Sequence, residues 1–213
     1  MPLPANLRGL YAITAAELCT RRGLEASVTG AIRGGAVMIQ YRDKGTDSAQ
    51  REREASALLQ LCRRHHVPLI INDDIELART IGADGVHIGA EDAPLRAARV
   101  RLGAEAVIGV SCYDSMELAR KARVAGADYV AFGSFFDSPT KSDAVRAPLA
   151  LLREASENLH LPVAAIGGIT PENGAALIAA GASLLAVISG VFGAEDPREA
   201  AQRYSALFNK GLK

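Results

Sequence analysis

Several stretches of the 213-residue chain carry groups able to handle phosphate and a divalent ion. Gln40-Tyr41-Arg42-Asp43-Lys44 follows an apolar run. Side chains of an extended strand alternate, so Gln40, Arg42 and Lys44 share one side while Tyr41 and Asp43 take the other. An amide and two cations aimed at one space can grip a phosphate chain, the arginine with forked donors. A lone Arg-x-Lys is more often a solvated loop, so its weight comes from its partners. Asn72-Asp73-Asp74 is the second stretch. Asp74 suits the cap of a helix starting at Ile75, which leaves Asp73 without a structural task. Asp92, in Gly89-Ala90-Glu91-Asp92, would alone read as another cap. Two carboxylates at adjacent strand ends instead suit Mg²⁺ completed by water and substrate oxygens, and the cation relieves their repulsion.

A further stretch, Ser138-Pro139-Thr140-Lys141, lies in a connection from Gly133 to Pro148 and resembles a shaped anion loop. The last feature is split between Gly167-Gly168 before Thr170, and Ser189-Gly190. Glycines let backbone N–H groups approach a ligand, and a following helix points its positive end there. Two anion sites follow. A monophosphate would occupy Gly168 and Ser189, and a diphosphate with Mg²⁺ would lie among Arg42, Lys44, Lys141, Asp73 and Asp92. Two such sites suit the joining of two substrates.

The elements that must position these groups are legible as an alternation. Eight apolar runs of strand length recur: Leu10–Ile13, Val37–Tyr41, Pro68–Ile71, Val86–Ile88, Val107–Val110, Tyr129–Phe132, Val163–Ile166 and Leu184–Ile188. They lack polar alternation, as strands covered on both faces do. Between them, Asp47 with Gln50, Asp114 with Glu117 and Asp196-Pro197 with Glu199 predict capping boxes, and Thr170-Pro171 predicts a helix start. Gly34-Gly35, Gly82, Gly126 and Gly181 predict helix stops. Eight βα units predict an α/β fold, a single-domain (β/α)₈ TIM barrel over residues 1–213, with binding residues on the loops after the strands. An open doubly wound sheet would want a glycine fingerprint after its first strand, and Leu10–Leu24 has none.

Composition restricts the partners. Apolar residues make up 49% and charged residues 23%, a globular balance rather than a disordered one. Basic and acidic residues number 24 each, so no basic excess points to nucleic acid, and any anion site must be local. No apolar run approaches a membrane span, and Met1–Arg8 lacks a signal-peptide stretch. The odd set Cys19, Cys62 and Cys112 predicts reduced structural thiols in a cytoplasmic protein. Arg51-Glu52-Arg53-Glu54 predicts a solvated helix face.

The chain resembles the thiamine-phosphate synthase family. The resemblance rests on Ile39-Gln40-Tyr41-Arg42-Asp43-Lys44, Ile71-Asn72-Asp73, Gly85-Val86-His87-Ile88-Gly89 with Glu91-Asp92, and Gly109-Val110-Ser111. It continues through Ser138-Pro139-Thr140-Lys141, Ala165-Ile166-Gly167-Gly168-Ile169 and Val187-Ile188-Ser189. Each motif is weak, but together they stand in family order over nearly the whole chain.

The resemblance implies that Gln40, Tyr41, Arg42, Asp43, Lys44, Asn72, Ser111 and Lys141 bind an aminopyrimidine diphosphate. Arg42, Lys44, Ser111 and Lys141 would act in catalysis, and Asp73 and Asp92 would hold Mg²⁺. Ser138, Pro139, Thr140, Gly168, Ile188 and Ser189 would bind a thiazole phosphate. The implied reaction makes thiamine phosphate and diphosphate, with carbon dioxide from a carboxylated thiazole. The expected partners are small phosphorylated molecules, with a homodimer the one assembly entertained, and neither nucleic acid nor membrane. Cys112-Tyr113 departs from the usual family residues, so neither is given a catalytic role. Phe135 and Phe136 are expected to pack the sixth loop. Two rivals share the scaffold: a thiazole tautomerase with His87 as base, and a non-catalytic sensor of thiamine intermediates. The first has no need of a diphosphate grip, and the second could do without the metal carboxylates.

Overall fold

The computed structural model describes residues 3–4, 7–89, 95–137 and 146–209. Eight parallel strands form a closed barrel in sequence order: β1 (Gly9–Ile13), β2 (Ala36–Tyr41), β3 (Leu69–Asn72), β4 (Gly85–Ile88), β5 (Val107–Tyr113), β6 (Tyr129–Phe132), β7 (Val163–Ile166) and β8 (Leu184–Val187). Pairing of Gly9–Ala12 with Leu184–Val187 joins β1 to β8 and closes the ring. The helices are α1 (Ala16–Cys19), α2 (Leu24–Arg33), α3 (Ser48–Arg64), α4 (Ile75–Ile81), α5 (Leu95–Leu102), α6 (Met116–Val124), α7 (Leu149–Asn158), α8 (Gly174–Ala179), α9 (Ser189–Phe192) and α10 (Pro197–Asn209). This is a (β/α)₈ TIM barrel.

Strand alternation divides the core in two. Tyr11, Ile13, Met38, Ile70, Val107, Tyr129, Ala131, Ala164, Leu184 and Ala186 pack together inside the barrel. Leu10, Ala12, Ile39, Tyr41, Ile71, Val86, Ile88, Ile108, Val110, Val130 and Phe132 point the other way and join the helices in the outer core. Both faces of every strand are therefore buried, which is why the strand sequences read as apolar runs without polar alternation.

Local signals set the helix ends, with two adjustments. Asp47 Oδ1 accepts from Gln50 N (2.9 Å) and Asp74 Oδ1 from Leu77 N (2.8 Å), so both cap as expected. Asp196 Oδ1 likewise accepts from Arg198 N (2.9 Å). At α6, however, the cap is Ser115, whose Oγ accepts from Leu118 N (3.2 Å), and not Asp114. Ser115 also caps well, and the helix starts one residue later than the Asp114–Glu117 spacing implied. Thr170 opens a turn rather than α8, its Oγ1 accepting from Glu172 N (3.3 Å) before the helix begins at Gly174. Gly82 ends α4 in the left-handed conformation (φ 69°), and Gly126 does the same after α6 (φ 94°).

Candidate active site

The barrel interior holds an unbroken line of polar side chains. Gln40 Nε2 donates to the Tyr11 hydroxyl (2.6 Å), which bonds the Tyr129 hydroxyl (2.8 Å). Tyr129 OH meets His87 Nδ1 (2.9 Å), and His87 Nε2 meets Ser111 Oγ (2.8 Å). Five strands supply these five residues: β2, β1, β6, β4 and β5. Gln40, Tyr11, Tyr129 and His87 are all buried, so each polar atom here would cost free energy if left unpaired. Gly109 makes the arrangement possible. It pairs with Tyr129 across β5–β6 and with His87 across β4–β5, and a Cβ there would overlap the Tyr129 ring. Without that atom, Tyr129 leans across to stack on His87, with ring centroids 5.5 Å apart.

At the end of β2, Thr14 clamps the backbone. Arg42 N donates to Thr14 Oγ1 (2.9 Å), and Thr14 N donates to Gln40 O (2.9 Å). Arg42 lines a hollow of about 360 Å³ with Thr14, Tyr41, Gln50 and Glu54. Lys44 is exposed, while Asp43 Oδ1 accepts from Gly45 N (2.9 Å) and shapes the turn between them. Tyr41 faces outward, and its hydroxyl donates to Glu54 Oε2 on α3 (2.8 Å). It braces the strand against that helix from outside the barrel.

The charged run on α3 is solvated at Glu52 and Arg53, as expected, but Arg51 and Glu54 have partners. Besides Glu54, Arg51 is half-buried and its Nη2 donates to Asp74 Oδ2 (2.9 Å), tying α3 to the start of α4. At the end of β3, Asp73 has φ 62° and its N–H donates to His87 O (2.8 Å). Aspartate is among the residues that tolerate this left-handed conformation. Asn72 Nδ2 donates to Asp73 Oδ2 (2.6 Å), so these two candidates lie together. Asp92, Ser138, Pro139, Thr140 and Lys141 lie outside the described residues.

Residues 133–137 run directly over the end of β7. Phe135 N donates to Ile166 O (3.2 Å) and Phe136 N to Gly167 O (3.1 Å). A Cβ on Gly167 would come within 2.7 Å of Ser134 Cα, and one on Gly168 would strike Asp137 O. The glycine pair thus has a packing task, since a backbone passes where side chains would be. Phe135 is buried and Phe136 packs against the outer core, as expected of loop-filling rings. Asn173 Nδ2 donates to Gly168 O (3.0 Å), and Ser189, following Ile188, opens α9.

Burial governs the titration of the interior. It pushes the His87 imidazole down to about 4 and raises the Tyr11 and Tyr129 phenols, so the line carries neutral groups near pH 7. Burial also pushes the free, buried Cys62 and Cys112 thiols up to about 12, consistent with structural thiols. An unfolded histidine titrates near 6.5, above its folded value. As pH falls through 6.5 the unfolded chain therefore binds the proton first. The fold loses about 3 kcal/mol from this group by pH 4 and nothing above pH 7. Denaturant titrations without divalent cations should show this slope in the wild type and lack it in His87→Gln. Parallel profiles for the two proteins would show that His87 is not held neutral.

Sequence reading missed Tyr11, Thr14 and Tyr129. Each lies in or beside an apolar run, where a lone hydroxyl looks incidental. The usable signal was Gly109, because glycine inside a strand marks a close approach.

A closed parallel barrel with its polar groups gathered in the interior and at the C-terminal strand ends is the architecture of a (β/α)₈ barrel enzyme. The family model described as thiamine monophosphate synthase matches residues 10–191. A thiamine-phosphate synthase of Thiobacillus denitrificans is 56% identical over 200 residues, covering 94% of each chain. That of Thioalkalivibrio sulfidiphilus is 52% identical over 203 residues, covering 95% of this chain and 96% of its own. Among solved structures, a thiamine phosphate pyrophosphorylase from Pyrococcus furiosus superposes with a TM-score of 0.88 at 34% identity, covering 98% of this chain and 99% of that one. The chain belongs to the thiamine monophosphate synthase family. It is an enzyme, a transferase of thiamine-phosphate synthesis. Among the described residues no helix is long and apolar enough to cross a membrane.

Proposed function

We propose that the protein joins 4-amino-2-methyl-5-(diphosphooxymethyl)pyrimidine to a thiazole phosphate in a Mg²⁺-dependent reaction. The products are thiamine phosphate and diphosphate, with carbon dioxide when the thiazole is carboxylated. The observation that carries this reading is the interior line ending at Gln40 and Ser111. Two residues implied for the pyrimidine, far apart in sequence, belong to one hydrogen-bonded unit.

The donor set fits the ion. Asp73 supplies hard carboxylate oxygen at the end of β3, and Mg²⁺ is usually held by one or two carboxylates plus water and phosphate oxygens. Among the described residues no cluster of three His, Cys, Asp or Glu side chains could form an all-protein cage. Asp73 and Asp92 would hold the ion, which when bound neutralises charge on the diphosphate.

Arg42, Lys44 and Lys141 grip the same group and stabilise the charge that grows on it as its carbon–oxygen bond breaks. The electron pair of that bond leaves with the diphosphate, while the electron-rich aminopyrimidine spreads the positive charge left on the methylene carbon. Gln40, Asn72 and Ser111 orient the pyrimidine. Gly168, Ile188 and Ser189, with Ser138, Pro139 and Thr140, hold the thiazole phosphate so that the ring nitrogen's lone pair faces that carbon. The nitrogen–carbon bond then forms without a protein nucleophile. On this reading the enzyme works in the cytoplasm on small phosphorylated molecules.

A thiazole tautomerase would need a base that titrates near neutrality. His87 is held down to about 4 and has both ring nitrogens in hydrogen bonds, which favours the synthase. Mixing both phosphorylated substrates with Mg²⁺ and following products by mass spectrometry is the direct test. Thiamine phosphate and diphosphate should appear together. Tight thiazole-phosphate binding with no turnover would favour the sensor reading instead. Asp73→Ala should raise the Mg²⁺ concentration for half-maximal turnover by about 10-fold or more, an order typical of damage around a metal site. An unchanged metal titration would remove Asp73 from the ion.

A further inference from the structure

The interior line contains three residues, Tyr11, Tyr129 and His87, that lie between the two substrate-facing ends. We infer that they are positioning residues, which hold the hydrogen bonds between Gln40 and Ser111 in one direction and thereby present the Ser111 hydroxyl as a donor. The inference rests on the reading that Gln40 and Ser111 face the pyrimidine.

With the Gln40 amide nitrogen turned toward Tyr11, the direction follows from counting protons. Gln40 Nε2 can only donate, so the Tyr11 oxygen accepts from it (2.6 Å). The single Tyr11 proton is then directed at the Tyr129 oxygen (2.8 Å), and the Tyr129 proton at His87 Nδ1 (2.9 Å). Nδ1 must be bare to accept it. A neutral imidazole with a bare Nδ1 carries its proton on Nε2, which donates to Ser111 Oγ (2.8 Å). The serine's own proton has no role left inside and is turned outward. A protonated ring would set Nδ1–H against the Tyr129 proton.

The line has one other consistent state, in which the Gln40 amide turns over and every proton shifts the other way. Ser111 would then donate inward to Nε2 and offer a ligand only lone pairs. Whatever holds the Gln40 amide at one end therefore selects donor or acceptor at the other, through three residues that need not touch substrate. Gly109 keeps the central pair in contact, since it leaves the space into which Tyr129 leans.

The test compares Tyr129→Phe, Ser111→Ala and the double variant in the intact enzyme, measuring kcat, the KM of each substrate and melting temperature. Tyr11→Phe serves in place of Tyr129→Phe if the latter does not fold. Ser111→Ala should lower kcat. Tyr129→Phe should lower kcat about 10- to 100-fold, the worth of one or two buried hydrogen bonds, with the thiazole-phosphate KM unchanged. In the Ser111→Ala background the same change should cost almost nothing more, because it acts through the serine. The ¹⁵N spectrum of His87 should show a proton on Nε2 and a bare Nδ1 in the wild type.

Equal rate losses from Tyr129→Phe in both backgrounds, or a proton on Nδ1, would overturn the positioning role while leaving Ser111 in the site. No loss with Ser111→Ala would remove the serine from the site, and the inference with it.

Discussion

Gly109→Ala is expected to destabilise the protein by about 4 kcal/mol, combining forced overpacking with loss of buried hydrogen bonds. At this chain length that corresponds to a fall in melting temperature of about 8–16 °C. The added methyl would overlap the Tyr129 ring, so either the ring or the β5–β6 pairing must move. Moving the ring breaks its bonds to both Tyr11 and His87, which leaves polar groups of the interior without partners. Moving the strand disturbs a closed barrel in which β5 is paired on both edges. Neither adjustment is cheap: the atoms met belong to the far end of the Tyr129 side chain, but that ring is fully buried and its hydroxyl is bonded to both Tyr11 and His87. Calorimetry on the variant checks the prediction, and melting within about 2 °C of the wild type would show unsuspected room beside Tyr129.

Arg42→Ala is expected to leave the fold almost untouched and to lower kcat about 10²- to 10³-fold, the usual cost of losing one preorganised group from a developing charge. Stability should hold because Thr14 clamps the backbone of residue 42 and the side chain is not needed for that clamp. Turnover should fall because the guanidinium is assigned to charge that is largest as diphosphate departs. Thiazole-phosphate affinity, which on the proposed function involves the other anion site, should change far less. Measuring kcat, thiazole-phosphate binding and melting temperature on the same preparation separates the outcomes. A protein that melts earlier yet turns over normally would make Arg42 a structural lining of its hollow. Lys141→Ala should follow the same pattern, with turnover reduced much more than thiazole-phosphate binding.

The fold was highly legible. Burial on both faces forces apolar residues onto each strand, and local chemistry marks the helix ends, so eight strands and most caps appear in the linear sequence. Where a cap moved, as from Asp114 to Ser115, the neighbour offered an equivalent oxygen. The charged run on α3 was harder to read. Arg51 and Glu54 look like ordinary surface charges until α4 and β2 bring Asp74 and Tyr41 against them.

The sequence by itself determined the barrel and the order of its motifs. Each of these depends on residue type and on spacing within one βα unit. Only the tertiary structure decided which hydroxyls matter and how they are joined. Tyr11 and Tyr129 are 118 residues apart, and their hydroxyls meet because closure brings β1 and β6 to face one interior. It also decided that Gly167 and Gly168 make room for a passing backbone. Contacts of this kind depend on which strands face each other across a closed ring, and local periodicity holds no record of that.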